Sequence, residues 1–206
     1  MKQRRAAELV NAGSIRIGTL SDFRREEDHA TGIGDAGEGT ISNISGPSWT
    51  PTGDVNIPDL QLVGIPPGQG PTFKNIGFRG QSEALILCLA GDLKAGGFPP
   101  DYDTIVEIPD AQLFVDAVTR ALQRAGHDLT FVSLKRCLYA ARENRLDHST
   151  TSGEWYRKPP QFADQMEYRA AWSPVGAPGQ AISPITLADR ELCRLVRMYP
   201  RRSSSR

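Results

Sequence analysis

The sequence predicts a single α+β domain built on a mixed, split or bent β-sheet, with few helices and long loops rich in glycine and proline. Three observations predict it. Apolar or alternating runs of strand length recur along the chain, one segment carries a clear helical period, and 20 glycines with 15 prolines among 206 residues leave many turns and irregular connections. The length suits one well-cored domain, expected over residues 1–200, with 201–206 as a disordered basic tail.

From the N-terminus, Arg5 to Val10 reads as a short helix stopped by Asn11 and Gly13. A strand follows at Ser14 to Leu20. Asp22, Glu26, Glu27 and Asp28 make an acidic stretch, and Asp35 and Glu38 lie among glycines that let the backbone turn sharply or approach a ligand closely. Residues 46–80 are interrupted by Gly and Pro too often for a long helix or a central strand, and are expected to form a binding loop, lid or insertion. Ala84 to Ala90 suits a buried central strand and Thr104 to Ile108 a second. Pro109 opens a helix in which Leu113, Phe114, Ala117, Val118, Ala121 and Leu122 recur at helical spacing, and Gly126 stops it. Leu129 to Tyr139 holds further strand, with Lys135-Arg136 equally suited to a turn or short helix. Residues 142–161, polar and carrying Pro159-Pro160, read as a loop leading into a strand at 164–172.

Charge and cysteine usage narrow the function classes. Lys plus Arg and Asp plus Glu both number 24, so no global field draws in nucleic acid or an anionic membrane. Cys88, Cys137 and Cys193 are odd in number and widely spaced, which fits neither a disulfide framework nor a zinc site and points to the reducing cytoplasm. The basic start is not followed by an apolar signal core, and Ala84 to Ala90 is far shorter than the roughly 20 residues of a membrane helix. A cytoplasmic protein without a membrane segment is expected.

The 164–172 segment is the most informative. Read as a strand, it places Met166, Tyr168, Ala170 and Trp172 on one face, expected to be buried. Gln165, Glu167 and Arg169 fall on the other, expected to open to a cleft or to solvent. A carboxylate between an amide and a guanidinium on a rigid strand suits a catalytic acid whose position must be fixed. The same pattern is that of a solvated sheet face with Glu167 ion-paired to Arg169.

The block Gly13-Ser14-Ile15-Arg16-Ile17-Gly18-Thr19-Leu20, then Asp22-Phe23-Arg24 and Gly34-Asp35-Ala36-Gly37-Glu38-Gly39, resembles a group of uncharacterised bacterial proteins. With the later acidic strand, that architecture resembles the ADP-ribosyltransferase superfamily, and Gln165-Met166-Glu167 resembles its Gln-x-Glu motif. The resemblance implies NAD as substrate and a macromolecular acceptor, protein or nucleic acid, with a role as a toxin or defence effector. It implies that Glu167 orients the nicotinamide ribose and stabilises an oxocarbenium-like transition state, that Gln165 contacts the acceptor, and that Arg16, Thr19, Phe23 and Arg24 form the cofactor-binding block. It further implies that Glu167→Gln abolishes activity with little change in melting temperature. The chain departs from the superfamily in lacking its first-strand Arg or His, for which Arg4, Arg5 or Arg16 would substitute, and in carrying Leu87-Cys88-Leu89-Ala90 where its Ser-Thr-Ser element is sought.

Other motifs fit less well. Asp35 and Glu38 suit hard-cation ligands or a plain turn, with Arg16 and Arg24 as cleft arginines or salt-bridge partners. Gly32-Ile33-Gly34-Asp35-Ala36-Gly37 has the letters of a dinucleotide fingerprint but neither the leading strand nor the following helix, and no Gly-x-Ser-x-Gly elbow occurs. Three readings remain: an NAD-dependent ADP-ribosyltransferase, a non-catalytic binding protein of related fold using the 46–80 loop and the polar sheet face, and a metal-dependent nuclease or phosphodiesterase on Asp22, Asp35 and Glu38.

Overall fold

The computed structural model describes residues 1–26, 35, 37, 39–44, 50, 51, 53–57, 60–73, 77–81, 83–92, 102–141, 143–145, 154–175 and 182–200. Four α-helices are formed among them: α1 (Gln3–Ala12), α2 (Leu20–Glu26), α3 (Ala111–Arg124) and α4 (Arg190–Cys193). The strands of the first half are β1 (Ser14–Thr19), β2 (Thr40–Ile44), β3 (Val55–Ile57), β4 (Leu60–Leu62), β5 (Gly77–Gln81) and β6 (Leu85–Ala90). Those of the second half are β7 (Thr104–Glu107), β8 (Leu129–Arg136), β9 (Leu138–Tyr139), β10 (Glu143–Arg145), β11 (Arg157–Lys158), β12 (Glu167–Pro174), β13 (Ile185–Ala188) and β14 (Arg197–Pro200). The fold is α+β, and Glu38 lies outside the described residues.

A five-stranded sheet ordered β13-β1-β6-β12-β8 organises the molecule. Every pairing within it is antiparallel. Its β1 pairs with β13, so the first and last quarters of the chain share one sheet. The apolar run at 85–90 takes the middle place as expected, but it is buried on both faces only over residues 85–87, Cys88 and Ala90 being exposed. Smaller sheets surround it: β10-β2-β5 is mixed, β11 and β9 are parallel, and β14-β7 and β3-β4 are antiparallel pairs. Among its described residues the segment 46–80 contributes the β3-β4 pair and most of β5 and no strand of the central sheet, in keeping with its Gly and Pro content.

One face of the sheet packs on helices. Ile15 and Ile17 of β1, Leu85 and Leu87 of β6, and Ala170 and Trp172 of β12 meet Leu9 of α1 and Phe114, Val118 and Leu122 of α3 in one buried cluster. Helix α3 starts where Asp110 accepts from the Leu113 amide, at 2.9 Å, so Asp110 is its N-cap and Pro109 precedes it. Gly13 ends α1 at φ 63°, and a Cβ there would sit 1.7 Å from the Asp189 carbonyl oxygen, so only glycine allows this close approach. The other face carries a smaller cluster of Leu20, Ala84, Ile86, Tyr156 and Ala171, with Phe23 and Trp155 beside it. This apolar cluster occupies one end of that face. No helix among the described residues is long and apolar enough to cross a membrane.

Candidate functional site

The other end of the second face holds Glu167 and Arg169. Strand alternation puts them there, because Ala170 and Trp172 turn toward the helices. The strand begins later than the sequence pattern suggests. Residues 160–165 form a 3-10 turn led by Pro160, and Met166, at φ 45° and ψ 45°, bends the chain left-handed into β12. Gln165 therefore approaches from the turn.

A third element completes the site. Lys158 of β11 donates from Nζ to Gln165 Oε1 at 2.8 Å and to Glu167 Oε2 at 2.7 Å. Arg169 donates from Nε to the other carboxylate oxygen at 2.5 Å, and through a terminal nitrogen to the Trp155 carbonyl at 2.6 Å. The Lys158 ammonium also lies 5.0 Å from the centre of the Phe162 ring. Backbone contacts fix the carboxylate's strand: the Glu167 amide donates to the Tyr139 hydroxyl at 2.7 Å, and its carbonyl accepts from the Cys137 amide at 2.8 Å.

All four polar side chains are buried, which corrects the expectation that Gln165 and Glu167 open to a cleft or to solvent: Lys158 is 3%, Gln165 6%, Glu167 6% and Arg169 1% exposed. Burial by itself would raise the Glu167 pKa, but Arg169 and then Lys158 outweigh it and hold the carboxyl down at about 2. Glu167 is therefore ionised at neutral pH. On the helix-facing side Ala170 and Trp172 are fully buried as expected, whereas Tyr168 is 37% exposed and Met166 half-buried. Tyr168 stands near the strand's start, between half-buried Leu89 and exposed Arg136, where the helical cover has ended.

The register brings Cys88 beside Arg169 on the same face, with Lys135 on Arg169's other side. The Cys88 thiol is exposed, yet its pKa is pushed well up, first by desolvation and next by the Glu167 carboxylate. The two are compatible because the exposure is that of the whole residue, whereas desolvation depends on how much protein surrounds the sulfur. Such a thiol is a poor nucleophile at neutral pH.

The early block is distributed differently from the expected cofactor cradle. Arg16 points away from the buried face of β1, on the side that carries Glu167, and its guanidinium pairs with Asp22. Arg24 pairs with Glu83 at 3.0 Å, beside the end of β6 opposite Ala90, the partner of Glu167. Along a strand that separation is roughly 20 Å, so Arg24 and Glu167 do not share a cleft. Thr19 caps α2, accepting from the Asp22 amide at 3.1 Å and bonding the Ser21 hydroxyl at 2.8 Å. Phe23 lies over Gly18, where an added Cβ would come within 3.1 Å of the ring. Asp35, buried, accepts from the Gly37 amide at 3.1 Å.

Asp22 also receives Arg25 at 3.2 Å, and among the described residues no three His, Cys, Asp or Glu side chains gather at metal-binding range. Lys158 escaped the sequence reading because it lies in a polar stretch whose two-residue strand has no periodicity to reveal it. Comparison of the chain with protein families, with curated proteins and with solved structures finds no match.

Proposed function

We propose that the chain transfers ADP-ribose from NAD to a macromolecular acceptor, with Glu167 meeting the positive charge that develops on the ribose and Gln165 placing the acceptor. The observation that supports this reading is convergence. Gln165 and Glu167 come from different elements, a 3-10 turn and a strand, yet their oxygens lie 2.8 and 2.7 Å from a single cationic nitrogen. A carboxylate ionised at neutral pH and held by its own strand is also what stabilising an oxocarbenium-like state requires, since preorganised charge needs no rearrangement during the reaction.

A second reading, a non-catalytic binding protein, is favoured by a specific observation. Both Glu167 oxygens are engaged by buried cations, as in a structural ion-pair network. Nicotinamide release and NAD calorimetry separate the two. Transfer requires release by the wild type and its loss in Glu167→Gln. Heat of NAD binding without release gives the binding reading, and neither heat nor release removes NAD from both. The substitution also lowers the melting temperature, because it leaves two buried cations short of their carboxylate, so activity is assayed well below the transition. Thr119→Val, which removes the 2.9 Å bond to the Trp172 indole far from Glu167, provides a destabilised control that keeps activity.

A further inference from the structure

Lys158 and the acceptors it binds stand on different footings. Glu167 lies on β12, paired on one side with β6 and on the other with β8. Lys158 lies on a two-residue strand outside the five-stranded sheet, paired with β9 and tied by the Ala140 amide, which donates to its carbonyl at 2.9 Å. Short peripheral elements open at lower free energy than central strands. Arg169, from the same strand as Glu167, holds the second carboxylate oxygen. Glu167 thus keeps its strand and its Arg169 partner when the ammonium leaves, while losing the part of its pKa depression that Lys158 supplies.

The surroundings of the Lys158 nitrogen match a receptor for a cation: a carboxylate oxygen at 2.7 Å, an amide oxygen at 2.8 Å and an aromatic face at 5.0 Å. We propose that Gln165, Glu167 and Phe162 form a cation receptor which Lys158 fills from within the chain, so that the site rests self-blocked and opens when this one side chain withdraws. The consequence for activity rests on the transfer reading, since positive charge developing on a ribose would need the same carboxylate oxygen. The receptor itself does not.

Lys158→Ala tests the two separately. It empties the receptor and leaves a space the shape of a primary alkylammonium ion. Thermal unfolding of the full-length variant is followed in ethylammonium chloride and, at matched ionic strength, in tetramethylammonium chloride, which has no N–H to donate. A saturable rise in melting temperature with ethylammonium alone, absent in the wild type, supports the receptor. An equal response to both salts, or none, overturns it. Should the variant not fold in buffer, recovery of folded protein on refolding in ethylammonium counts for the proposal and failure in both salts against it. Nicotinamide release is read alongside: self-blocking predicts a gain of about tenfold or more over the wild type, and unchanged or lower release by the variant of an active wild type overturns self-blocking. Ethylammonium rescue with no release from either protein leaves the receptor standing and removes the transfer reading.

Discussion

At the scale of single residues, the chain invests its most costly burial in Lys158, Glu167 and Arg169. Three charges out of water carry a large desolvation cost, which mutual pairing and hydrogen bonding offset only while every member is present. Glu167 carries the pH dependence. Its folded pKa, about 2, lies below the ordinary 4.5, so its stabilising contribution is complete above pH 4.5 and is lost as pH falls through 4.5 toward 2. A depression of that size corresponds to on the order of 3 kcal/mol. Urea unfolding measured from pH 7 to 3 should show the wild type weakening below pH 4.5 and Glu167→Gln, already weaker, losing less; parallel curves would show that Glu167 is not the titrating group. Trp172 makes the contrasting case, fully buried with its indole donating to Thr119 Oγ1 at 2.9 Å. Trp172→Ala should cost about 3–5 kcal/mol in the same assay, and a neutral effect would mean that its face of the sheet is not core.

At the scale of elements, legibility followed periodicity. Helix α3 was readable because apolar residues recur at helical spacing, and the central strand β6 because an apolar run of strand length stands out. Even there the phase needed the structure: Leu113 is 45% exposed while Val115 is fully buried. The segment before Glu167 was misread for a physical reason. Met166 continues the apolar alternation in sequence, but Pro160 starts a 3-10 turn and Met166 itself adopts a left-handed conformation, so the strand starts at Glu167. The alternation of Glu167 with Ala170 and Trp172 survives, and Gln165 still reaches Glu167's neighbourhood by another route. Polar identity in that pattern was legible, but its burial was not, because the cover comes from Trp155, Lys158 and Phe162 in a stretch without a repeat. In the early block, Thr19, Phe23 and Arg24 are accounted for locally by a helix cap, contact with a glycine and an ion pair to Glu83, roles that spacing alone does not separate from ligand binding.

At the scale of the whole molecule, the two faces of the sheet divide the labour. One is closed by α1, α3 and α4 into a continuous apolar core; the other is apolar at the end near Ile86 and ionic at the end near Glu167. Strands β6 and β12 lie between these layers with neighbours on both sides, so their amides should exchange only through global unfolding. Among the described residues β3 and β4 pair only with each other, and Val63 beside them is 69% exposed, so their amides should exchange by local opening, at least about a hundredfold faster. Hydrogen exchange read by mass spectrometry distinguishes these classes, and a peptide spanning β12 that exchanged as fast as one spanning 55–62 would overturn the layered description. The ionic end adds a sharper expectation. Protonating Glu167 removes the charged acceptor that fastens Lys158 to the central sheet. Strand β1 is instead fastened chiefly by apolar contacts and by backbone pairing with β13 and β6, which do not titrate, and the ion pair of its Arg16 with Asp22 reaches only the neighbouring α2. Lowering the pH from 7 to 2, where about half of the folded molecules carry a protonated Glu167, with rates corrected for intrinsic exchange, should therefore release the amides of 138–140 and 157–158 before those of 14–19. Simultaneous release of both would mean that the cluster is welded into the global core, and that Lys158 has no lower-energy route out of its site.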